Sequence, residues 1–339
     1  MTAAPTSSRR LALTAAVLTV PIALVGCGSS SKGGTTTPPS SGGSGATNAA
    51  KGCSPKTGTQ LVVLADDKHS QQSDNIVAVA KTSVAKAPLT DALNDVSKNL
   101  SQDALNTLNS DVAGGKTDAQ AAAAFISKYN VGSGLSGGSG SIVIGTQSFA
   151  EASTLGEVYK EVLDKAGYNA SVKKIGLRNL LEPALESGEV QVVPEYAASL
   201  TSFLLQKDKD TTQSASTDID KTMSVLKPLA LKHGFTALDP AAATDENAFA
   251  ITKASSDAYG LKTMSDVATK CGTTGITFGG PANCPSNPFC AAAIKNTYGI
   301  TISFKSLDSD GPLTRAAVKQ GKVLIGEVFS SDPDLVPAS

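Results

Sequence analysis

From Ile142 onward, short apolar runs alternate with helical stripes, and this alternation restricts the fold more than any other feature of the chain. Ile142-Val143-Ile144 reads as a strand. Leu155, Tyr159, Val162, Leu163 and Ala166 then share one helical face, which Gly167 ends. Residues 170–175 return to strand, residues 177–186 to helix with a stop at Gly188, and residues 190–193 to strand, ending at Pro194-Glu195-Tyr196. Strands are expected again at 248–252, 276–278 and 323–326, with helices at 218–233 and 313–320. Such alternation implies α/β lobes built on mainly parallel sheets.

A glycine-serine joint, residues 132–140, separates this part from an upstream segment. A joint of this composition spans roughly 15–20 Å as a coil. Upstream of it, Leu61-Val62-Val63-Leu64 and Ile76-Val77-Ala78-Val79 read as buried strands. Leu89, Leu93, Val96 and Leu100 follow at helical spacing. Ser101-Gln102-Asp103 caps a second helix carrying Leu105 and Leu108. A third helix, residues 119–129, places Ala122, Phe125, Ile126 and Tyr129 on one face.

The first residues read as an address. Arg9 and Arg10 precede an apolar run at 11–25, too short for a bilayer span of about 20 residues. The run ends in Leu24-Val25-Gly26-Cys27, which resembles the lipobox of bacterial lipoproteins. In that class the cysteine is lipid-modified and becomes the new N-terminus. Residues 1–26 are therefore expected to be a lipoprotein signal peptide, with Cys27 as the lipidation site. Residues 27–57 form a tether. Between Gly28 and Ala50, 18 of 23 residues are Gly, Ser, Thr or Pro, so no core can form there.

Export makes disulfides available. With Cys27 lipidated, Cys53, Cys271, Cys284 and Cys290 remain, and four cysteines allow three connectivities. The short loop between Cys284 and Cys290 makes that pair the simplest choice, which leaves Cys53 with Cys271.

Several chemistries are poorly served. The 29 basic and 30 acidic residues balance, against a nucleic-acid partner. Two histidines far apart make a histidine-rich metal centre unsupported, and no metal or cofactor is expected. His233 precedes Gly234 at a helix end, where its charge suits the dipole. His69 lies in a polar loop. No phosphate-binding glycine-lysine loop occurs, and Asp66-Asp67 read as turn residues. An enzyme is not expected.

Ile142-Val143-Ile144-Gly145-Thr146-Gln147-Ser148-Phe149-Ala150-Glu151, Leu185-Glu186-Ser187-Gly188-Glu189-Val190 and Pro194-Glu195-Tyr196 resemble the opening of the glycine betaine/choline-type substrate-binding proteins of ABC importers. Residues 258–267, Thr297-Tyr298-Gly299-Ile300 and Val328-Phe329-Ser330-Ser331-Asp332 resemble their second lobe. Leu61-Val62-Val63-Leu64-Ala65-Asp66-Asp67-Lys68, with the helices up to Tyr129, resembles the family's C-terminal end, yet here it comes first. The resemblance therefore implies a two-lobed α/β fold of the periplasmic-binding-protein type II class, circularly permuted. Its parts are a segment at 58–131 resembling the family's C-terminal part, a linker at 132–140, lobe 1 at 141–240 and lobe 2 at 241–337. Chain termini that lie together at a surface tolerate such permutation.

The same resemblance implies a ligand held at the hinge, with aromatic rings around a quaternary ammonium. Carried over position by position, Gln147, Ser148 and Phe149 follow the first strand, and Tyr196 matches a cage tyrosine. Ser199 stands where relatives have Thr or Asp, and Phe329 where many have Tyr. Asn247 and Arg315 stand at further cage positions, and Asn287 replaces an arginine that can hold a carboxylate. Asp245, Asp308 and Thr314 are nearby polar candidates. The cage thus loses at least two rings, which also suits a more polar ligand. The implied function is an extracytoplasmic, lipid-anchored, monomeric receptor for a small osmoprotectant such as glycine betaine or choline. Its implied partners are the membrane, an ABC permease and its ATPase. A receptor for a polar non-quaternary solute and a scaffold lipoprotein are the alternatives.

Overall fold

The computed structural model describes residues 52–287, 289–308, 311–333 and 335–337. The expected signal peptide, Cys27 and most of the tether lie outside these residues. The described chain begins with β1 (Leu61–Leu64) and β2 (Asn75–Lys81), followed by α1 (Leu89–Asn99), α2 (Gln102–Ala113) and α3 (Asp118–Lys128). Next come β3 (Ser141–Gln147), α4 (Ala150–Lys165), β4 (Asn169–Gly176), α5 (Arg178–Ser187), β5 (Val192–Tyr196), α6 (Ala197–Asp208), α7 (Ile219–Lys232) and β6 (Phe235–Thr244). The last part holds β7 (Asn247–Thr252), α8 (Lys253–Tyr259), α9 (Met264–Asp266), a π-helical turn (Val267–Cys271), β8 (Thr274–Pro281), α10 (Ala291–Tyr298), β9 (Thr301–Leu307), α11 (Pro312–Lys319), β10 (Ile325–Phe329) and β11 (Leu335–Pro337). None of the described helices is long and apolar enough to cross a membrane.

Two sheets result, in the orders β4-β3-β5-β2-β6 and β11-β1-β7-β10-β8-β9. The chain passes between them after β1 and again after β6. Here the expectation of mainly parallel sheets needs correction. β2 runs antiparallel to β5 and β6, and β7 runs antiparallel to β1 and β10. The reason is the crossing itself. A helical return brings a strand back to the far end of its sheet and makes it parallel. β2 and β7 are instead entered straight from the other sheet, at the end where their neighbours finish. Ile76 therefore pairs with Tyr196, and Asn247 with Phe329. The ends of β3, β5, β6 and β10 and the beginnings of β2 and β7 thus converge on the junction between the two sheets.

Each sheet is a middle layer between helices. In β2, Ile76, Ala78 and Ala80 join a core with α1 to α4, while Val77 and Val79 join another with α5 to α7. In β7, Phe249 and Ile251 face the core that includes Ile294 of α10, while Ala248 and Ala250 face Ala317 and Val318 of α11. Both faces are covered, so the central strands read as continuous apolar runs. The helix starts are specified locally. The Ser101 hydroxyl accepts from the Ala104 N–H, Asp218 accepts from Asp220 and Lys221, and Thr117 with Gln120 closes a capping box.

The glycine-serine joint is laid against the body. Gly132 N–H donates to Asp95 Oδ2 at 2.6 Å and Gly138 N–H to the Ala166 carbonyl at 2.9 Å. A Cβ at Gly138 would lie 2.7 Å from that carbonyl oxygen, so this position needs glycine for space. The first described residues are also tied down. Cys53 is bonded to Cys271, Gly58 N–H donates to the Lys319 carbonyl at 2.9 Å, and Leu61 pairs with Leu335. The second disulfide joins Cys284 and Cys290.

Helix α4 approaches its sheet closely at Gly156, where a Cβ would overlap Thr146 Cγ2 and meet Val172 Cγ1 at 3.2 Å. Gly156→Val is expected to lower stability by about 1–3 kcal/mol through overpacking. Urea unfolding followed by circular dichroism measures this, and an unchanged midpoint would contradict the packing.

Candidate functional site

The converging strand ends enclose a cleft of about 940 Å³ between the two sheets. β3 delivers Gln147, β5 delivers Tyr196, and β10 delivers Phe329. The two crossings contribute Gln71, Gln72 and Asp74 on one side and Asp245 and Glu246 on the other. Strand ends at a sheet junction expose polar backbone and short loops, which is where such folds bind ligands.

Aromatic side chains form part of the wall. Phe149, Tyr196, Phe289 and Phe329 all line the cleft. The Phe149 and Tyr196 rings lie 5.9 Å apart between centroids, tilted by 37°. Phe149 is 39% exposed and Phe329 37% exposed, although both are large apolar side chains. Rings left open toward a cavity offer their faces to a cation.

The remaining wall is acidic, and its carboxylates hold one another in place. Glu151, at the start of α4, accepts from Tyr196 Oη at 2.7 Å and from Asn109 Nδ2 at 2.6 Å. Asn109 also donates to the Ser331 carbonyl at 2.8 Å, and Ser331 Oγ donates to Asp245 Oδ1 at 2.7 Å. Asp74 accepts from Ser199 N–H at 2.9 Å and from Ser199 Oγ at 2.5 Å, so it satisfies the first turn of α6. Burial raises the Asp74, Glu151 and Asp245 carboxyls above the ordinary range, and the Glu151 charge raises Asp245 further. Burial, with Asp66 and Asp74 nearby, pushes Glu246 up to about 7. Tyr196 is likewise raised well above its usual value, by burial and then by Glu151.

The cations at the cleft are engaged. Arg178 donates from Nε and Nη2 to Glu195 at 2.8–3.1 Å, a bidentate pair with a buried carboxylate. Arg315 on α11 pairs with Asp332 at 2.9 Å. The cleft therefore combines exposed ring faces with Asp74, Glu151, Asp245 and Glu246, which make no ion pair among the described residues, although Arg178 is close enough to favour the Asp74 carboxylate. That arrangement attracts a small organic cation and disfavours an anion.

Of the residues expected from the sequence, Gln147, Ser148, Phe149, Tyr196, Ser199, Asn247 and Phe329 line this cleft. The Gln147 side chain makes no hydrogen bond among the described residues, while the Ser199 hydroxyl is given to Asp74. Asn287 lines a smaller adjoining cavity instead. Arg315 lines neither and pairs with Asp332, which lines the cleft. Asp308 accepts from Leu313 N–H and Thr314 N–H and caps α11. Phe289, Glu151, Glu246 and Asp74 were not read as site residues. Phe289 sits in the Cys284–Cys290 loop, where no periodicity marks it, and Glu151 looks like an ordinary acidic residue in a first helical turn.

Among the described residues, two groups of side chains come close enough to hold a metal ion. In one, beside His233, Lys207 Nζ already lies 2.8 Å from Glu182 and 3.0 Å from Glu186. In the other, Cys284 and Cys290 are joined as a disulfide beside Glu327. Neither donor set suits a resident ion.

The family model described as the substrate binding domain of ABC-type glycine betaine transport systems matches residues 55–128 and 140–337. Its fold is the two-sheet α/β, type II periplasmic-binding-protein class. Among solved structures, a glycine betaine/carnitine/choline ABC transporter is similar over 56% of this chain and 68% of its own, at 15% identity and a TM-score of 0.41. A substrate binding protein from Microbacterium hydrocarbonoxydans, complexed with 4-hydroxybenzoate hydrazide, is similar over 54% of this chain and 45% of its own, at 11% identity and a TM-score of 0.25. No curated protein matches the sequence.

A cation in the cleft stabilises ionised carboxylates, so its affinity depends on pH. Lowering the pH through about 7 protonates Glu246 and removes one attracting charge. The affinity for tetramethylammonium is expected to fall with decreasing pH, by at most about tenfold per unit for each proton that must be released. Calorimetric titration between about pH 8 and pH 6 measures it, and Glu246→Gln should flatten the profile. A flat profile in the unaltered protein would contradict the charge assignment.

Proposed function

The chain belongs to the family of substrate-binding domains of ABC-type glycine betaine transport systems, and from that premise we propose a lipid-anchored receptor that captures a quaternary-ammonium osmoprotectant outside the cell. Like the rest of the family it is a solute-binding receptor and not an enzyme. The observation that carries the ligand reading is the coincidence of four rings, Phe149, Tyr196, Phe289 and Phe329, with Asp74, Glu151, Asp245 and Glu246 in one cleft. Rings and desolvated carboxylates attract the same charge type, and a quaternary ammonium needs no hydrogen-bond acceptor. Gln147 remains available for a polar tail.

The proposed cycle is closure of the two lobes over the solute and delivery to a membrane permease driven by an ATPase. The crossings at 65–74 and 245–246 are the hinge in this reading. Asn109 and the Ser331 carbonyl would bridge the lobes in the closed state. The lipid is carried by Cys27, and residues 27–57 hold the receptor, as a monomer, off the membrane surface. Circular permutation belongs to the same reading. Its support is the interruption of the family match at the glycine-serine joint and the pairing of β1 beside β11. Residues 58–131 then correspond to the family's C-terminal part, residues 132–140 to the new connection, and residues 141–240 and 241–337 to the two lobes.

Charge also ranks the candidate ligands. Glycine betaine carries a carboxylate that would sit among acidic side chains, whereas choline carries none. Choline is therefore expected to bind at least about tenfold more tightly than glycine betaine. A thermal-shift and calorimetric panel of choline, glycine betaine, carnitine, ectoine, proline and sugars measures this, because a ligand of the folded state raises the melting temperature. Silence toward every quaternary amine would overturn the reading and favour a polar solute or a scaffold role.

Loss of a ring face weakens cation binding directly. Phe149→Ala is expected to reduce choline affinity by about fivefold or more, with a smaller effect on melting temperature than truncation of a fully buried ring because Phe149 is partly open to the cleft. Equal affinity in the variant would remove Phe149 from the cage.

A further inference from the structure

Next to the cleft lies a second, smaller cavity of about 150 Å³, lined by Asn247, Pro281, Asn283, Asn287, Glu327 and Phe329, with Gly311 and Val328 completing it. Asn247 and Phe329 also line the large cleft, so the two spaces adjoin. The volume is several times what a single water needs, which is about 15 Å³ by the same kind of measure.

Glu327 is the unusual member. It lies on β10 opposite Phe249 and is only 7% exposed. Among the described residues its one close polar side-chain neighbour is Cys290 Sγ, 2.9 Å from Oε2. That sulfur belongs to the Cys284–Cys290 disulfide and has no hydrogen to donate. Among the described residues no cation approaches the carboxyl, and burial raises it to about 7. A buried carboxyl without a donor is costly and is normally removed or paired. The surroundings nevertheless make room for it. A Cβ at Gly280 would lie 2.9 Å from Glu327 Oε2, and Gly280 does not have a positive φ that would require glycine. Glycine at 280 therefore keeps space open beside the carboxyl.

The rest of the lining suits a particular partner. Asn283 and Asn247 make no side-chain hydrogen bonds among the described residues, while Asn287 Oδ1 accepts from Phe289 N–H at 2.9 Å. Amides supply further acceptors, and Pro281, Val328 and Phe329 supply an apolar wall. A carboxylate, amide oxygens and a short apolar wall match a small alkylammonium, with N–H groups at one end and a methyl or methylene at the other. An alkali ion would need a fuller shell of oxygens.

We propose that this cavity is a second binding site, specific for small protonated amines, with Glu327 as the charge-pairing acceptor. It differs from the cleft in requiring N–H donors, which a quaternary ammonium lacks. The assignment does not depend on which solute the cleft takes.

The test uses the full chain saturated with choline, or with tetramethylammonium if choline does not bind, and methylammonium as the probe. Methylammonium is expected to bind saturably at one additional site and to raise the melting temperature. Further tetramethylammonium, sodium and potassium should not reproduce the effect. Glu327→Gln keeps shape and removes charge, and should weaken methylammonium by about tenfold or more while leaving the cleft affinity unchanged. Should that variant fail to fold, Gly280→Ala, whose Cβ would press on Glu327 Oε2 and displace the carboxyl without changing charge, should have the same selective effect. Absence of a saturable methylammonium response, an equal response to potassium, or unchanged binding in a folded Glu327→Gln variant would each overturn the assignment.

Discussion

Carboxyl groups held out of water where two sheets meet, without an ion-pair partner among the described residues, are the constraint on which the site depends. Asp74, Glu151 and Asp245 are buried deeply enough that each resists ionisation. They are kept there by specific donors, Ser199 to Asp74, Tyr196 and Asn109 to Glu151, and Ser331 to Asp245. Such an arrangement costs stability in the empty protein, and a cation that restores ionisation offsets the cost. Binding and protonation are therefore linked through the same groups.

The topology brings these groups together. Because β2 and β7 are entered directly from the opposite sheet, their first residues lie beside the last residues of β5 and β10. Asp74 and Glu246, each just before one of these strands, are thereby placed at the cleft. The chain Tyr196–Glu151–Asn109–Ser331–Asp245 then runs from an aromatic wall of one lobe to the loop that follows β10 of the other. Glu151 thus links Tyr196 to Asn109, which makes an interlobe hydrogen bond, and in the proposed cycle this is the route from a bound solute to domain closure.

Much of the fold was legible in the sequence because it is written in local periodicity. The stripe from Leu155 to Ala166 and the stops at Gly167 and Gly188 mark α4 and α5, and Ser101 and Asp218 mark helix starts. β6 and β9 were not legible. β6 carries Pro240 amid small residues, and β9 alternates polar with partly covered apolar side chains. The parallel pairing that helical returns suggest holds except at β2 and β7, whose antiparallel entry comes from the two crossings, which leave no local signal. Gln147, Tyr196 and Phe329, which line the cleft, were legible as candidates through the residues around them. Phe289 and the acidic cluster were not, because burial of a charge is a property of the assembled junction and not of the neighbouring sequence.

The most direct test of a cation held by rings and carboxylates is a crystal structure grown with choline. The expected result places the quaternary nitrogen in the cleft, within about 6 Å of the centroids of at least two of the Phe149, Tyr196, Phe289 and Phe329 rings, with the acidic cluster facing it. Choline bound elsewhere on the molecule, or a cleft filled by a ligand whose charge meets Arg178 instead, would contradict it.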